Sequence, residues 1–228
     1  MHLSRLQLAL IVFGGVILGP SMGDAQDRAP VPSGQFALDI VPGPEYSAST
    51  SLLLFIKIPL YPQIACWIET PDGQFVDTVY VTSKGAKKSF FSAPASGRPE
   101  ALPVWYHLQS KAASSIDAVS SATAASASEH KAKFGASLAP GRYQVFLEVN
   151  RSYDYNATYT KANSGVNGQP SVIYRAELTV GKDPNSASFI PIGTGSVDGS
   201  SGGVAPGLDG ITTALKIIKD AEIRYGGE

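Results

Sequence analysis

The sequence predicts a mainly β protein in which antiparallel sheets pack face to face. Several segments alternate apolar and polar residues with period two, turn signals separate these segments, and little helical periodicity lies between them. The 228 residues include 23 Gly and 16 Pro, and only 16% are charged, which is typical of a chain of strands and turns. An apolar fraction of 43% is enough to fill a core between two sheets, so we expect a β-sandwich.

The N-terminal segment 1–25 has the pattern of a secretory signal peptide. Arg5 gives it a positive start, Leu6–Leu18 is an apolar run, and Gly23 and Ala25 put small residues before the cleavage point. No later segment reaches the roughly 18 consecutive apolar residues of a membrane-spanning helix. We therefore expect a periplasmic or secreted protein without an integral membrane segment after cleavage. The alternative is an uncleaved N-terminal anchor.

The first half of the mature chain contains four candidate strands. Gln35–Val41 is predicted to be an edge strand. Leu52–Leu60 is a nearly continuous apolar run, which is typical of a strand covered on both faces. In Gln63–Thr70, alternate residues are apolar, and Pro71-Asp72-Gly73 then predicts a turn into a strand over Phe75–Thr82.

Two further strands, Arg142–Asn150 and Ser171–Gly181, are predicted to form a hairpin whose loop contains residues 161–169. One face of the first strand carries Tyr143, Val145, Leu147 and Val149, with Phe146 as an exception on the polar face, and one face of the second carries Val172, Tyr174, Ala176, Leu178 and Val180. We expect these two faces to line the core.

The segment Leu138–Tyr143, which contains a Pro-Gly pair, leads directly into the first of these strands. It resembles the tyrosine corner of immunoglobulin-like and fibronectin-like sandwiches, in which a tyrosine hydroxyl bonds back to nearby backbone. This resemblance implies an immunoglobulin/fibronectin-like antiparallel β-sandwich. The alternative is an ordinary Pro-Gly turn followed by a core tyrosine.

The other regions are predicted to contain little regular structure. The sandwich domain is predicted over residues 26–183, with a long loop at 84–140 whose centre, Ala112–Ser128, has 13 Ala or Ser among 17 residues. Residues 184–209 are rich in Gly and Ser and are predicted to be a linker. A short helix and a C-terminal strand are predicted over 210–228.

Composition excludes several function classes. A net charge of −1 argues against a nucleic-acid binder or a polybasic membrane-surface protein. Only one cysteine is present, so an internal disulfide framework or a multi-cysteine metal site is excluded. We interpret Cys66 as a buried small residue, with a reactive thiol as the alternative. Only His107 and His130 follow the signal segment, and no metal-binding, hydrolase or nucleotide-binding motif is present.

The stretch from Asp117 to Thr123 resembles the threonine flavinylation motif of FMN-binding subunits in bacterial sodium-pumping and Rnf-type electron-transport complexes. The resemblance implies that a flavin transferase joins FMN, through its phosphate, to the hydroxyl of Thr123. Asp117 is then the acidic residue of the motif and Ser120 its hydroxyl position. Ser121, which precedes Ala122, stands where that family usually has Gly, and Gly allows backbone conformations that Ser resists. The alternative is a chance match within an Ala/Ser-rich segment.

A second resemblance extends from about Gln63 to Gly181. In this range the chain resembles the bacterial periplasmic family DUF2271, and four segments carry the likeness in the same order: Gln63–Glu69, Arg98–Trp105, Asp117–Thr123 and Pro140–Tyr143. The resemblance implies a secreted, sandwich-like domain with a connection to flavinylated electron-transfer systems.

These resemblances give provisional roles to three neighbours of the motif. Trp105 is predicted to stack on the flavin ring, Arg98 to pair with the phosphate, and His107 to hydrogen-bond the ring or relay protons. Their alternatives are a packing aromatic, a solvated loop residue and a satisfied polar residue, respectively. The expected protein is a redox carrier rather than a stand-alone enzyme, with membrane or periplasmic redox partners and no nucleic-acid partner.

An aromatic stretch supports a different function. Residues 150–159 interleave tyrosines with Asn and Asp: Asn150, Tyr153, Asp154, Tyr155, Asn156 and Tyr159. Such a pattern is typical of carbohydrate-binding surfaces and equally of a hairpin end with Asx turns. A non-catalytic binding module for a glycan or a protein therefore remains the alternative function.

Overall fold

The computed structural model describes residues 28–53, 56–87, 97–109, 119–121, 128–132 and 138–228. The fold below is that of Val31–Glu228, the second of the two units into which the chain divides. The predicted signal peptide lies outside the described residues. So do Asp117, Ala122 and Thr123 of the motif.

Two sheets contain most of the described strands. A four-stranded antiparallel sheet has the order β10 (Asn185–Ser188), β13 (Ile218–Tyr225), β1 (Phe36–Pro42) and β7 (Ser128–Ala132). A seven-stranded sheet has the order β12 (Ala205–Pro206), β11 (Ile190–Thr194), β9 (Val172–Val180), β8 (Gly141–Asn150), β4 (Gln63–Glu69), β5 (Phe75–Thr82) and β6 (Val119–Ser121). In the second sheet β6 runs parallel to β5, and the other neighbouring strands are antiparallel.

The remaining elements are short. A separate antiparallel hairpin pairs β2 (Ala48–Leu53) with β3 (Ile56–Leu60). The described residues contain three helices, α1 (Ser83–Lys87), α2 (Pro103–Gln109) and α3 (Lys161–Ser164), and two 3₁₀ turns at Pro99–Ala101 and Thr213–Lys216. The mainly β, antiparallel architecture predicted from the sequence is therefore confirmed.

One core contains the apolar faces that alternation predicts. It joins residues of both sheets: Ile64, Cys66 and Ile68 of β4, Tyr143, Val145, Leu147 and Val149 of β8, and Val172, Tyr174, Ala176, Leu178 and Val180 of β9, with Leu38 and Ile40 of β1 and Ile223 of β13. Side chains two residues apart on a strand share a face, so each strand presents one apolar row to the core. Cys66 is fully buried, and burial raises the pKa of its thiol.

A second core lies on the opposite face of the seven-stranded sheet. There α2 and the residue before it cover the sheet, and the buried residues are Ala65, Trp67, Val81, Leu102, Val104, Trp105 and Ile173. Phe146 packs against this cluster and stacks on Trp67, with ring centroids 5.4 Å apart and planes 14° apart. The exception that Phe146 makes to the alternation of β8 is explained, because its side of the strand is covered too.

The hydrogen bond predicted at the tyrosine corner is present. The Tyr143 hydroxyl donates to the carbonyl oxygen of Ala139 at 2.8 Å, which ties the start of β8 to the turn before it. The wider likeness to immunoglobulin and fibronectin domains stays a prediction.

The prediction of one buried strand over Leu52–Leu60 is wrong. The chain reverses direction between the two strands of the hairpin, where Leu53 pairs with Ile56, and Lys57, Ile58 and Pro59 are exposed. A continuous apolar run carries no signal that separates a buried strand from a hairpin.

The prediction that the first strand lies at a sheet edge is also wrong. In the described structure β1 lies between β13 and β7. The residues 84–140, predicted as a long loop, supply α2, β6 and β7. The edge prediction and the loop prediction fail for the same reason. The strands beside β1, which are β13 and β7, are far from it in sequence, so the local sequence does not indicate their pairing.

Strands also run through the predicted linker at 184–209, which contains β10, β11 and β12. Several of its glycines, such as Gly193, lie in close packing contacts. A Cβ at Gly193 would lie 2.2 Å from the carbonyl oxygen of Ala205, so only glycine lets β11 and β12 approach. The helix predicted near residue 211 is a single 3₁₀ turn, Thr213–Lys216, and the predicted C-terminal strand is confirmed as β13.

Candidate functional site

The described part of the flavinylation-like motif lies at a sheet edge. Strand β6, which contains Ser120 and Ser121, pairs with β5 in the parallel register Tyr80↔Val119 to Thr82↔Ser121. It is the last strand in the order of the seven-stranded sheet. Along the chain, Thr123 comes two residues after β6 and five residues before β7, which is the last strand of the other sheet.

The parallel pairing fixes the end of the sheet at which the chain leaves β6. It is the end where β5 finishes, and where β4 begins. At this end the Thr82 hydroxyl donates to the side-chain oxygen of Gln63 at 2.9 Å, and Gln63 pairs with Asn150 at the end of β8. The C-terminal end of β6 and the end of β8 at Asn150 therefore lie at the same end of the sheet.

A histidine that the sequence analysis left without a role lies beside β6. His130 of β7 stacks on Tyr80 of β5, with ring centroids 3.9 Å apart and planes 25° apart. Burial lowers the pKa of His130, and the negative charge of Asp39 partly opposes this effect. Its proximity to the motif depends on sheet pairing, so the sequence offered no signal for it.

Trp105 occupies the outer core. Its side chain is 3% exposed, its indole N–H donates to the Thr78 hydroxyl at 3.0 Å, and its backbone N–H donates to Glu148 at 2.9 Å. In this arrangement the ring packs against the sheet. The predicted stacking on a flavin ring requires α2 to move, and it stays a prediction.

Arg98 is used within the fold. Its Nε–H donates to Glu100 at 2.8 Å, and its two terminal nitrogens donate to Ser152 and to Asn167, each at 3.0 Å. The guanidinium thus ties the 3₁₀ turn at Pro99–Ala101 to the loop after β8. A phosphate at Arg98 would share or replace these bonds, so its predicted role also stays a prediction.

His107, near the end of α2, is fixed by a backbone contact. Its Nε2 lies 2.9 Å from the carbonyl oxygen of Gly199, so Nε2 carries the proton. The ring also meets the Tyr106 ring edge-on, with centroids 5.8 Å apart. The role in flavin binding or proton relay predicted for His107 is not tested by this contact.

A buried carboxylate is the group that sequence reasoning missed. Glu148 of β8 is fully buried and accepts three hydrogen bonds: from the Ser171 hydroxyl at 2.7 Å, from the Trp105 amide at 2.9 Å and from the Val104 amide at 3.3 Å. Burial raises the pKa of Glu148 to about 7, while the three hydrogen bonds oppose the shift. Alternation placed Glu148 on the polar face of the strand, and that face is covered by α2.

Polar contacts hold the loop that joins β8 to β9. The buried side chains of Arg151 and Asp154 form an ion pair at 2.9 Å, and the Thr213 hydroxyl donates to the same Asp154 oxygen at 2.6 Å. Asn156 makes an Asx turn, since its side-chain oxygen accepts the amides of Thr158 at 2.9 Å and Tyr159 at 2.8 Å. The Asx-turn interpretation of this stretch is confirmed at Asn156.

The loop also displays aromatic rings. Tyr153 has a φ of 63°, and its side chain is 46% exposed. The Tyr155 ring meets it edge-on with centroids 6.4 Å apart, and the Tyr155 hydroxyl donates to the carbonyl oxygen of Gly165 at 2.7 Å. Two of the polar groups predicted to accompany these rings, Asp154 and Asn156, form their hydrogen bonds with other residues of the protein.

Comparison with known protein families identifies the central part of the chain. Residues 60–164 match the model of the family DUF2271, described as a predicted periplasmic protein. The resemblance expected from the sequence is confirmed for this segment, and so is the periplasmic location. Comparisons with curated proteins and with solved structures gave no match. Within the described residues, no helix has the length and apolar character needed to cross a membrane.

Proposed function

We propose that this DUF2271 protein is a periplasmic electron-transfer module that carries FMN on Thr123. The observation that carries the proposal is the Asp117–Thr123 sequence, which lies within the family-matched residues 60–164. The described part of that sequence is the edge strand β6. Among the described strands, β6 has a partner on one side only, which suits a segment that a second enzyme must reach.

The attachment chemistry needs a donor whose FMN phosphate is activated as an anhydride. The Thr123 oxygen forms the new P–O bond, the anhydride bond breaks, and the hydroxyl proton leaves with the released phosphate group. The attached flavin supplies one- or two-electron redox chemistry, and the protein supplies its position. A covalent bond suits a periplasmic carrier, because a lost cofactor could not be replaced from a free pool there.

The proposal draws its support from the motif rather than from the predicted ring contacts. Ser120 and Ser121 belong to β6, the last described strand in the order of its sheet. Trp105, Arg98 and His107 already have partners within the fold. The proposal therefore depends on Thr123 and assigns no flavin contact to these three residues.

The test is the intact mass of the mature protein isolated from cells with an active flavin transferase. We expect the mass of one FMN, less one water, on the peptide containing Thr123, and visible fluorescence of the denatured band. Thr123→Ala should remove both signals. Thr158→Ala should keep them as a matched control, and Ser121→Gly, which restores the usual family residue, should keep or increase the flavin content.

Either of two results would refute the proposal. One is an unmodified mass for the wild-type protein in such cells. The other is an unchanged flavin content in Thr123→Ala.

One observation favours a second function, a binding module that uses the Tyr153 surface. A non-glycine residue in the left-handed region costs about 1–2 kcal/mol, and such strain often occurs at functional sites. Here the strain places an exposed ring beside Tyr155. This alternative predicts that the protein binds glycan fragments without flavin, and that Tyr153→Ala weakens binding at least tenfold in calorimetric titrations while Tyr61→Ala, another exposed tyrosine, does not. Equal binding by both variants would refute it.

A further inference from the structure

Glu148 lies between the seven-stranded sheet and α2, and it fastens the two together. Its carboxyl oxygens accept hydrogen bonds from the backbone amides of Val104 and Trp105, which belong to the first turn of α2. The first amides of a helix have no partner within the helix, so Glu148 takes the place of a capping residue. The Ser171 hydroxyl completes the set from the sheet side.

Among the described residues, no ion pair joins a cation to this carboxyl group. The causes that determine the pKa of Glu148 are its burial and its three hydrogen bonds, with no contribution from a positive charge. The titratable groups on the surrounding elements have other partners: His107 of α2 contacts Gly199, Glu100 pairs with Arg98, and Glu69 of β4 accepts from the Trp67 indole. Ionisation therefore places an uncompensated charge beneath α2, which is unfavourable in an interior.

The packing of α2 depends on this contact. The buried residues of α2 are Pro103, Val104 and Trp105. A Cβ at Gly195 would lie 2.5 Å from the Ser171 hydroxyl and 2.6 Å from Pro103. The Glu148 carboxyl group is thus fully buried and closely packed on the side of Gly195. Solvation of the ionised group requires α2 to separate from the sheet.

We propose that Glu148 is a pH-sensitive latch on α2, which holds the helix on the sheet when the carboxyl is protonated and loosens it when the carboxyl ionises. Opening exposes the Trp105 ring, which the closed arrangement buries. The inference depends on the contacts of Glu148 alone and does not require a flavin on Thr123.

The sign of the pH dependence follows from the two protonation equilibria. In the closed state the pKa of Glu148 is about 7, whereas its ordinary value is 4.5. Between pH 4.5 and pH 7, opening therefore releases a proton. In that range the equilibrium constant for opening rises about tenfold per pH unit. Below pH 4.5 and above pH 7 the equilibrium is flat. The whole rise is about two orders of magnitude.

Hydrogen exchange at the Trp105 amide measures the latch directly, because this amide donates to Glu148. After correction for the intrinsic rate, we expect its protection to fall by up to about a hundredfold between pH 4.5 and 7. Amides of β8, such as that of Leu147, exchange only when the sandwich unfolds, so they should be much more protected at every pH.

Substitutions separate the latch from other titrations. Glu148→Gln keeps the side-chain shape and cannot ionise, so the protection of Trp105 should no longer change with pH in this range. Ser171→Ala removes a hydrogen bond that lowers the pKa, so the fall should extend to higher pH. Glu69→Gln, which removes another carboxyl with a raised pKa on the same sheet, should leave the wild-type profile unchanged.

Two results would overturn the latch. One is a pH dependence of Trp105 protection that persists in Glu148→Gln. If that variant does not fold, the corresponding result is a Ser171→Ala profile that is not shifted along the pH axis. The other is equal protection at Trp105 and Leu147 across the pH range, which would mean that α2 opens only when the whole domain unfolds.

Discussion

At the scale of single residues, two core tyrosines differ in whether their hydroxyl has a partner. The Tyr143 hydroxyl donates to Ala139, whereas the Tyr174 hydroxyl is buried and has no protein partner among the described residues. Burial raises the pKa of Tyr174 to about 12. A buried donor without a partner loses the free energy of its bonds with water, which is a cost of about 1–3 kcal/mol.

The same substitution should therefore have different effects on the free energy of unfolding at the two positions. Tyr143→Phe should lower the free energy of unfolding by about 1 kcal/mol, because it removes a satisfied hydrogen bond. Tyr174→Phe should leave it unchanged or raise it, because it removes an unsatisfied hydroxyl and keeps the ring. Urea unfolding of both variants against the wild type measures the difference. A loss of stability in both would contradict the assignment.

Glu148 shows why part of the candidate site was not predictable. Alternation along β8 correctly separates its two faces, and the inward positions Tyr143 and Leu147 are buried as expected. The pattern gives the polarity of a face but not what covers it. The cover comes from α2, whose Trp105 is 43 residues from Glu148 in sequence, so the burial of Glu148 and the contact between His130 and Tyr80 could not be predicted from local sequence.

At the scale of elements, strands with alternating polarity were predictable and elements of uniform composition were not. Gln63–Thr70 and Phe75–Thr82 were predicted to within two residues of β4 and β5, because both period and turn residues mark them. The apolar run Leu52–Leu60 has no period, and its reversal was missed. The Gly-rich composition of 184–209 predicts a linker, whereas Gly193 permits close strand packing.

The motif itself illustrates the same limit. The sequence identified Asp117–Thr123 by its residue types and assigned it to a long loop. Pairing with β5 makes Val119–Ser121 an edge strand, and this pairing depends on residues more than thirty positions away. The chemistry of the motif depends on adjacent residues, so the sequence could suggest it. The position of the motif in the fold depends on distant residues, so the sequence could not.

At the scale of the whole molecule, the two sheets share one core although the chain visits them in alternation. The strand β13, which is last in the chain, lies between β10 and β1. Its Ile223 is fully buried in the core that also contains Leu147 of the seven-stranded sheet. Loss of packing in one sheet should therefore lower the stability of the other, as in a single cooperative unit.

Ile223→Ala tests this cooperativity. Removal of a buried isoleucine side chain costs about 2–5 kcal/mol. If the core is shared, amides that exchange through global unfolding, such as Leu38 in the four-stranded sheet and Leu147 in the seven-stranded sheet, should lose the same protection. Ile190→Ala, at a position that is 58% exposed, should change both by less than about 1 kcal/mol. A loss confined to Leu38 would mean that the four-stranded sheet unfolds separately, because only a shared core transmits the cost of the cavity to both sheets.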